Sequence, residues 1–303
     1  MSKTDDFRTI FYEATEKLKS EWVDRNSVLH KFTDGKGEIV LEDHVTRINN
    51  GAFDGCTSLI SITIPDSVTK IGELAFSGCS SLTSIIVDDN NPTYNSRDNC
   101  NAIIEKETNT LIRGCQNTVI PKSVRKIGDH AFSGCTGLTS IIIPYSVTEI
   151  GYHVFDGCTS LESITIPDSV TEIGYHVFDG CTNLTSIVID ESNPKYDSRN
   201  NCNAIIETKN DILIQGCVNT IIPDSVTKIG ALAFDGCSGL KSITIPDSVT
   251  QIGEYAFSDC TSLKSIIIPY SVEAVGKNAF EGCVNLSEET KELLRRKYKY
   301  HDF

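Results

Sequence analysis

Residues Val147 to Ser169 read VTEIGYHVFDGCTSLESITIPDS, and Val170 to Ser192 read VTEIGYHVFDGCTNLTSIVIDES. The second stretch starts where the first ends and copies its opening, so the step from Val147 to Val170 is a period of 23 residues. A period of this size marks a solenoid, a propeller or an array. Working outward, the same phenylalanine recurs at Phe53, Phe76, Phe132, Phe155, Phe178, Phe234, Phe257 and Phe280. Its steps are 23 residues except for two of 56. Pro65, Pro144, Pro167, Pro246 and Pro269 keep the same beat.

Each unit follows L-x-x-I-x-I-P-x-S-V-x-x-I-G-x-x-A/V-F-x-x-C. Leu59, Ile62 and Ile64 end in the period-two alternation of a short strand. Proline stops that strand because it lacks the N–H a ladder needs. Val68 and Ile71 re-enter the core, Gly72 marks a turn, and Ala75, Phe76 and Cys79 close the coil. One unit cannot bury its own apolar face, so units stack and share a continuous core. The last strand position recurs at Leu41, Ile64, Val87, Ile120, Ile143, Ile166, Ile189, Ile222, Ile245 and Ile268, which makes ten coils.

Leu138-Thr-Ser-Ile-Ile-Ile-Pro144, with Ser146-Val147, Ile150-Gly151, Phe155 and Cys158, resembles the BspA-like leucine-rich repeats. The resemblance spans residues 39–286. It implies a leucine-rich-repeat solenoid, β-rich with short parallel strands, and a surface or secreted role in adhesion through a protein partner, a host extracellular protein among the candidates. The expected organisation is an N-terminal capping helix over residues 1–30, the solenoid over 31–286 and a C-terminal capping helix over 287–303.

Two coils carry ten extra residues each, within 88–119 and 190–221. The inserts NNPTYNSRDNCNAIIEKETNTLIRGC from Asn90 and SNPKYDSRNNCNAIIETKNDILIQGC from Ser192 match at a spacing of 102 residues, a higher-order duplication. Each reads as a loop and a hairpin in which Ile103-Ile104 faces Leu111-Ile112. Cys100 and Cys115 share a midpoint with Ile104 and Leu111, so each cysteine pair (Cys202 with Cys217 in the copy) is expected face to face.

At the N-terminus Phe7, Ile10, Phe11, Ala14, Leu18 and Trp22 recur at helical spacing. Such a helix covers an open solenoid end or docks a partner; the cap is the favoured reading, since the stripe must be buried somewhere. At the other end Ser287 is placed to cap a helix with Glu288 and Glu289 in its first turn and Arg295, Arg296 and Lys297 in its last.

The formal charge of −14 argues against nucleic acid or an anionic membrane as partner. No apolar run approaches the ~18 residues of a span, so membrane insertion is not expected. Asp5, Asp6, Glu13 and Glu16 interrupt any secretory h-region and no wall anchor follows. The reading is therefore a cytoplasmic monomer, with cell-surface or secreted placement as the alternative the resemblance implies. Eight of the twelve cysteines share one phase of the repeat, the mark of a buried ladder of reduced thiols rather than disulfides.

Chemistry is sparse. His153 and His176 stack in phase beside Asp156 and Asp179, a conceivable metal set, but copied surface residues explain them more simply. Asp88, Asp89, Asn90 and Asn91 lack calcium-loop spacing and read as Asx turns before proline. Asn183 and Asn285 open glycosylation sequons, a weak signal. No catalytic constellation, metal or cofactor is expected. The candidate site is instead the outward strand position: Val40, Thr63, Ile86, Val119, Ile142, Thr165, Val188, Ile221, Thr244 and Ile267, all β-branched. At about 4.8 Å per coil they would make a stripe on the order of 40 Å long. Its rim carries Tyr145, Asp168 and Tyr270. Either β-branched residues simply suit strands, or an apolar stripe with a polar rim marks an interaction surface for an extended protein partner.

Overall fold

The computed structural model describes Val28–Leu29 and residues 37–300. The chain winds as a stack of coils, each adding rungs to parallel ladders. The first ladder holds the longer strands. Gly37–Val40, Leu59–Ile64 and Ser84–Val87 pair in one run. Ser163–Ile166 pairs with Ser186–Ile189, and Ser242–Thr244 with Ser265–Ile267. Partners such as Ser163 and Ser186 lie one period apart, so the sequence repeat is the hydrogen-bond register. The second ladder is made of two-residue strands such as Lys126–Ile127, Glu149–Ile150 and Glu172–Ile173.

A third side carries the Ala/Val-Phe turns. Phe132 N–H donates to the Val154 carbonyl at 2.9 Å and Phe155 N–H to that of Val177 at 2.9 Å, one coil on. The rings stack face to face: Phe132–Phe155 at 5.4 Å, Phe155–Phe178 at 5.6 Å, Phe234–Phe257 at 4.9 Å and Phe257–Phe280 at 5.3 Å. The separation follows from the spacing of neighbouring strands. The thiol column lies beside it. Cys79, Cys158, Cys181, Cys260 and Cys283 each donate S–H to the phenylalanine carbonyl of the preceding coil at 3.1–3.2 Å. All twelve cysteines are free and eleven are buried. The inner turn needs glycine: a Cβ on Gly174 would lie 2.6 Å from the backbone of Gly151 in the coil before.

The inserts depart from the expected geometry in an instructive way. Tyr94 and Asn91 stand one period after Ile71 and Val68, so each insert begins as an ordinary coil. Asn91, fully buried, donates to the Pro65 and Val68 carbonyls and accepts from Thr93 and Tyr94 N–H; Asn193 repeats this in the copy. The Asx reading stands, and every polar atom of that amide is satisfied. Tyr94 supplies its hydroxyl to the Ile71 N–H at 3.1 Å. The chain then forms the hairpin Ile103–Glu105 with Thr110–Arg113, where Ile104 opposes Leu111 as expected.

A bulge between Ile103 and Ile104 shifts the remainder of that register, so that Ile103 opposes Arg113. A one-residue slip turns side chains to the opposite face. The cysteines are therefore not face to face: Cys115 joins the core on the N-terminal side and Cys100 the core on the C-terminal side. Cys217 and Cys202 part in the same manner. Each hairpin is thus a two-faced partition between successive cores, which removes the proposed pairing.

Of the two expected helical caps, the C-terminal one lies among the described residues. Residues 1–27, with Phe7, Phe11, Leu18 and Trp22, lie outside the described residues. Val28–Leu29 is a strand parallel to Arg47–Ile48, so the expected helix does not extend to residue 30. The C-terminal helix runs Glu288–Tyr298, with the Ser287 side chain accepting from Thr290 N–H. Leu294 is buried against the last coil and Leu293 half-buried. Beyond the helix Tyr300 packs edge-on against Phe280 at 5.8 Å and accepts the Phe280 N–H at 2.7 Å. The hydroxyl replaces the carbonyl that a further coil would have offered. Tyr300→Phe should leave that buried N–H unpaired and lower stability by about 1–3 kcal/mol, read from chemical unfolding; a loss below experimental error would show that the end is capped by packing alone.

Candidate functional site: the strand face and the turn column

Nine of the ten outward strand positions are exposed, and Thr63 is half-buried. Ile142 is 86% exposed, Val119 and Ile221 more than two-thirds, and Thr165 and Thr244 also face solvent. Val40 and Ile86 toward the N-terminal end, with Val188 and Ile267 further on, complete the apolar members. These residues alternate with buried Ile85, Ile164, Ile187, Ile243 and Ile266, which hold the strands down on the core.

The ladder beneath them is not continuous. Thr63 pairs with Ile86, Ile142 with Thr165 and Thr165 with Val188, and Thr244 with Ile267. Val119 and Ile221 instead donate to the carbonyls of Cys100 and Cys202 in the inserts. The expected single stripe is therefore hydrogen-bonded in three runs, because each insert takes up the edge that the next strand would have used. Its central run is Ile142, Thr165 and Val188.

The rim residues are held apart. Tyr145 donates to Asp190 Oδ2 at 3.3 Å, and the Asp190 charge raises the pKa of its hydroxyl. Asp168 is half-buried and near enough to add to that field. Tyr270, 93% exposed, lies at the far end of the stack, with Lys297 Nζ 5.2 Å from its ring centre. Tyr145 and Tyr270 are thus separate landmarks rather than one patch.

The turn column brings together a set that the reading of the sequence did not assemble. His130, His153 and His176 stack at 4.8 and 4.5 Å. Burial and then the neighbouring imidazoles lower the His153 pKa. Of His153, His176, Asp156 and Asp179, which the sequence placed in phase as copied surface residues, the second histidine meets Asp179 and, from the next turn, Asp235. His176 Nδ1 lies 3.8 Å from Asp179 and 3.3 Å from Asp235. Burial first, then the Asp179 charge, pushes the Asp235 carboxyl up to about 6. The second insert contributes no turn to this column, so the turn of Gly236 rests directly on Asp179. The sequence did carry the signal: Asp235 follows Asp179 by 56 residues, the step from Phe178 to Phe234.

Nucleophilic chemistry is not prepared at the cysteines. Burial pushes the Cys79 and Cys283 thiols up to about 12 and those of Cys100 and Cys202 to about 11, so they stay protonated at neutral pH. No helix among the described residues is long and apolar enough to cross a membrane.

Coils of a repeated length, two of them enlarged by inserts, with parallel rungs and aliphatic cores between stacked coils, define a leucine-rich-repeat solenoid. The chain belongs to the BspA-type leucine-rich-repeat family, whose model matches in six copies over residues 33–103, 102–210 and 215–292. It is similar to a leucine-rich cell surface protein from Faecalibacterium prausnitzii A2-165, at 27% identity and a TM-score of 0.55 over 87% of this chain and 78% of that one. It also shares its fold with a leucine-rich repeat protein from Eubacterium ventriosum ATCC 27560, at 22% identity and a TM-score of 0.54 over 84% and 82% of the two chains. The pneumococcal vaccine antigen PcpA gives 21% identity and a TM-score of 0.54 over 87% and 76%. No curated protein matches the sequence.

Proposed function

We propose that this chain is a non-catalytic binding module at the cell surface that holds a protein partner along its strand face. The observation that carries this reading is the exposed outward column, above all Ile142, Val188 and Ile221, whose aliphatic groups stay in water while their neighbours are buried. Isolated exposed aliphatics are ordinary; a row of them repeated at the ladder spacing with a polar rim has the composition of an interaction surface. Tyr145 and Tyr270 serve as anchors, and Asp168 favours basic residues in the partner. The surface placement is supported by the description of the Faecalibacterium protein, and is tested by fractionating the native cells.

The binding test uses the purified chain against immobilised extracellular proteins. The variant Ile142→Lys, Val188→Lys and Ile221→Lys alters only solvent-facing groups, so its circular dichroism should match the parent. Capture should fall at least 100-fold, since three lysines bury badly in an apolar contact. Undiminished capture by the folded variant would move the site to another face. Recovery of the chain solely from the cytosol would favour an intracellular scaffold instead.

A further inference from the structure

We propose that His176, Asp179 and Asp235 form a binding site for one divalent metal ion of the zinc class, which clips together the two turns that meet at the second insert.

The three ligand atoms lie within 4.8 Å of one another. Nδ1 of His176 is 3.3 Å from Asp235 Oδ2 and 3.8 Å from Asp179 Oδ2. A charge-assisted hydrogen bond would be about 2.7–2.9 Å. Two ligands on a tetrahedral zinc with bonds of about 2.0–2.1 Å stand about 3.3 Å apart. The His176–Asp235 separation suits the second arrangement, and Asp179, at 3.8 Å, closes to it by a small side-chain rotation. Independently, His176 Nδ1 is buried and has no hydrogen-bond partner, although two carboxylates face it. A buried ring nitrogen that lies beside two carboxylate oxygens and hydrogen-bonds to neither belongs to a ligand set suited to a cation. Neither aspartate forms an ion pair with lysine or arginine among the described residues.

The internal duplication supplies a comparison within one chain. The positions 102 residues earlier are Leu74, Ser77 and Ser133, none of which is a good metal ligand. That first gap is cationic instead. Arg113 is buried and donates to the His130 and Ser133 carbonyls at 3.2 and 2.9 Å. Its counterpart in the second half is Gln215, which bonds the Gly216 and Ala233 carbonyls. The second gap has thus exchanged a buried cation for neutrality and gained one imidazole and two carboxylates. One nitrogen and carboxylate oxygens suit zinc or manganese better than calcium, which takes oxygen alone. The site is partly open, which leaves room for water as a further ligand.

Its role would be structural. At each insert the Phe stack and the turn-to-turn hydrogen bonds of a regular coil are interrupted. A metal bridging Asp179 and Asp235 would tie residues 56 positions apart across that interruption.

The full chain, freed of metal with a chelator, would be titrated with cobalt(II) and melted with and without zinc(II). One equivalent should bind, with cobalt absorption typical of nitrogen and oxygen ligands and without sulfur charge-transfer bands. Zinc at about 100 times its dissociation constant should raise the melting temperature by roughly 5 °C. The variant His176→Leu, Asp179→Ser and Asp235→Ser carries what the first half of the chain already accommodates, and should bind at least 100-fold more weakly. Asp235→Asn alone, which keeps the side-chain shape, should also lose affinity. No saturable binding by the parent chain, equal binding by the variants, or a cobalt spectrum dominated by thiolate would each overturn the assignment.

Discussion

Replacing Asn91 with aspartate is expected to destabilise the protein by about 3 kcal/mol or more. The amide sits fully buried where the first insert leaves the regular coil. Its nitrogen donates to two carbonyls at 2.7 and 2.8 Å and its oxygen accepts two N–H groups at 2.9 and 2.8 Å. A carboxylate could keep the two N–H bonds, but its second oxygen would face the Pro65 and Val68 carbonyls. Protonation would restore one donor and leave the other carbonyl unpaired. The folded state should therefore hold the introduced carboxyl above its unfolded value of about 3.9. Between those two pKa values the folded chain binds more protons than the unfolded chain, so stability falls as pH rises. The deficit should be smaller at pH 4 than at pH 7. Urea unfolding at both values tests this, and a variant within 1 kcal/mol of the parent at pH 7 would show that the amide's donors are dispensable. Asn193→Asp, with the same four bonds, should behave alike.

Phe155→Ala should cost about 3–5 kcal/mol, the range for an aromatic removed from a close-packed core. Its ring is fully buried between Phe132 and Phe178. The stack is a column of repeated coils, so neighbours cannot collapse into the gap without shifting the ladder. Phe178→Ala should cost about 1 kcal/mol less, because Phe178 stacks on one ring rather than two. Equal effects at the two positions would mean that burial alone, rather than ring-on-ring packing, sets the strength of the column. Far-ultraviolet circular dichroism during denaturant unfolding reads both.

The family and the strand positions were legible in the repeat because each is local or periodic. Alternation at Ile62 and Ile64 sets the buried face, proline ends the strand, and the 23-residue step becomes the register. The Ser287 cap and the acidic and basic ends of the last helix were equally local, as was the Asx geometry of Asn91. Other features depended on how coils meet. A single bulge after Ile103 sends Cys100 and Cys115 to opposite cores, and such a slip comes from packing the hairpin between two neighbours, not from the symmetry of its own residues. The division of the strand face into three runs has the same origin, since Val119 and Ile221 find their partners in the inserts. The meeting of His176 with Asp235 required the second insert to leave a turn out of the column, which places residues from non-successive coils in contact. Repetition dictates what each coil buries; the departures from repetition decide which side chains meet, because only there does the nearest neighbour in space cease to be the nearest period in sequence.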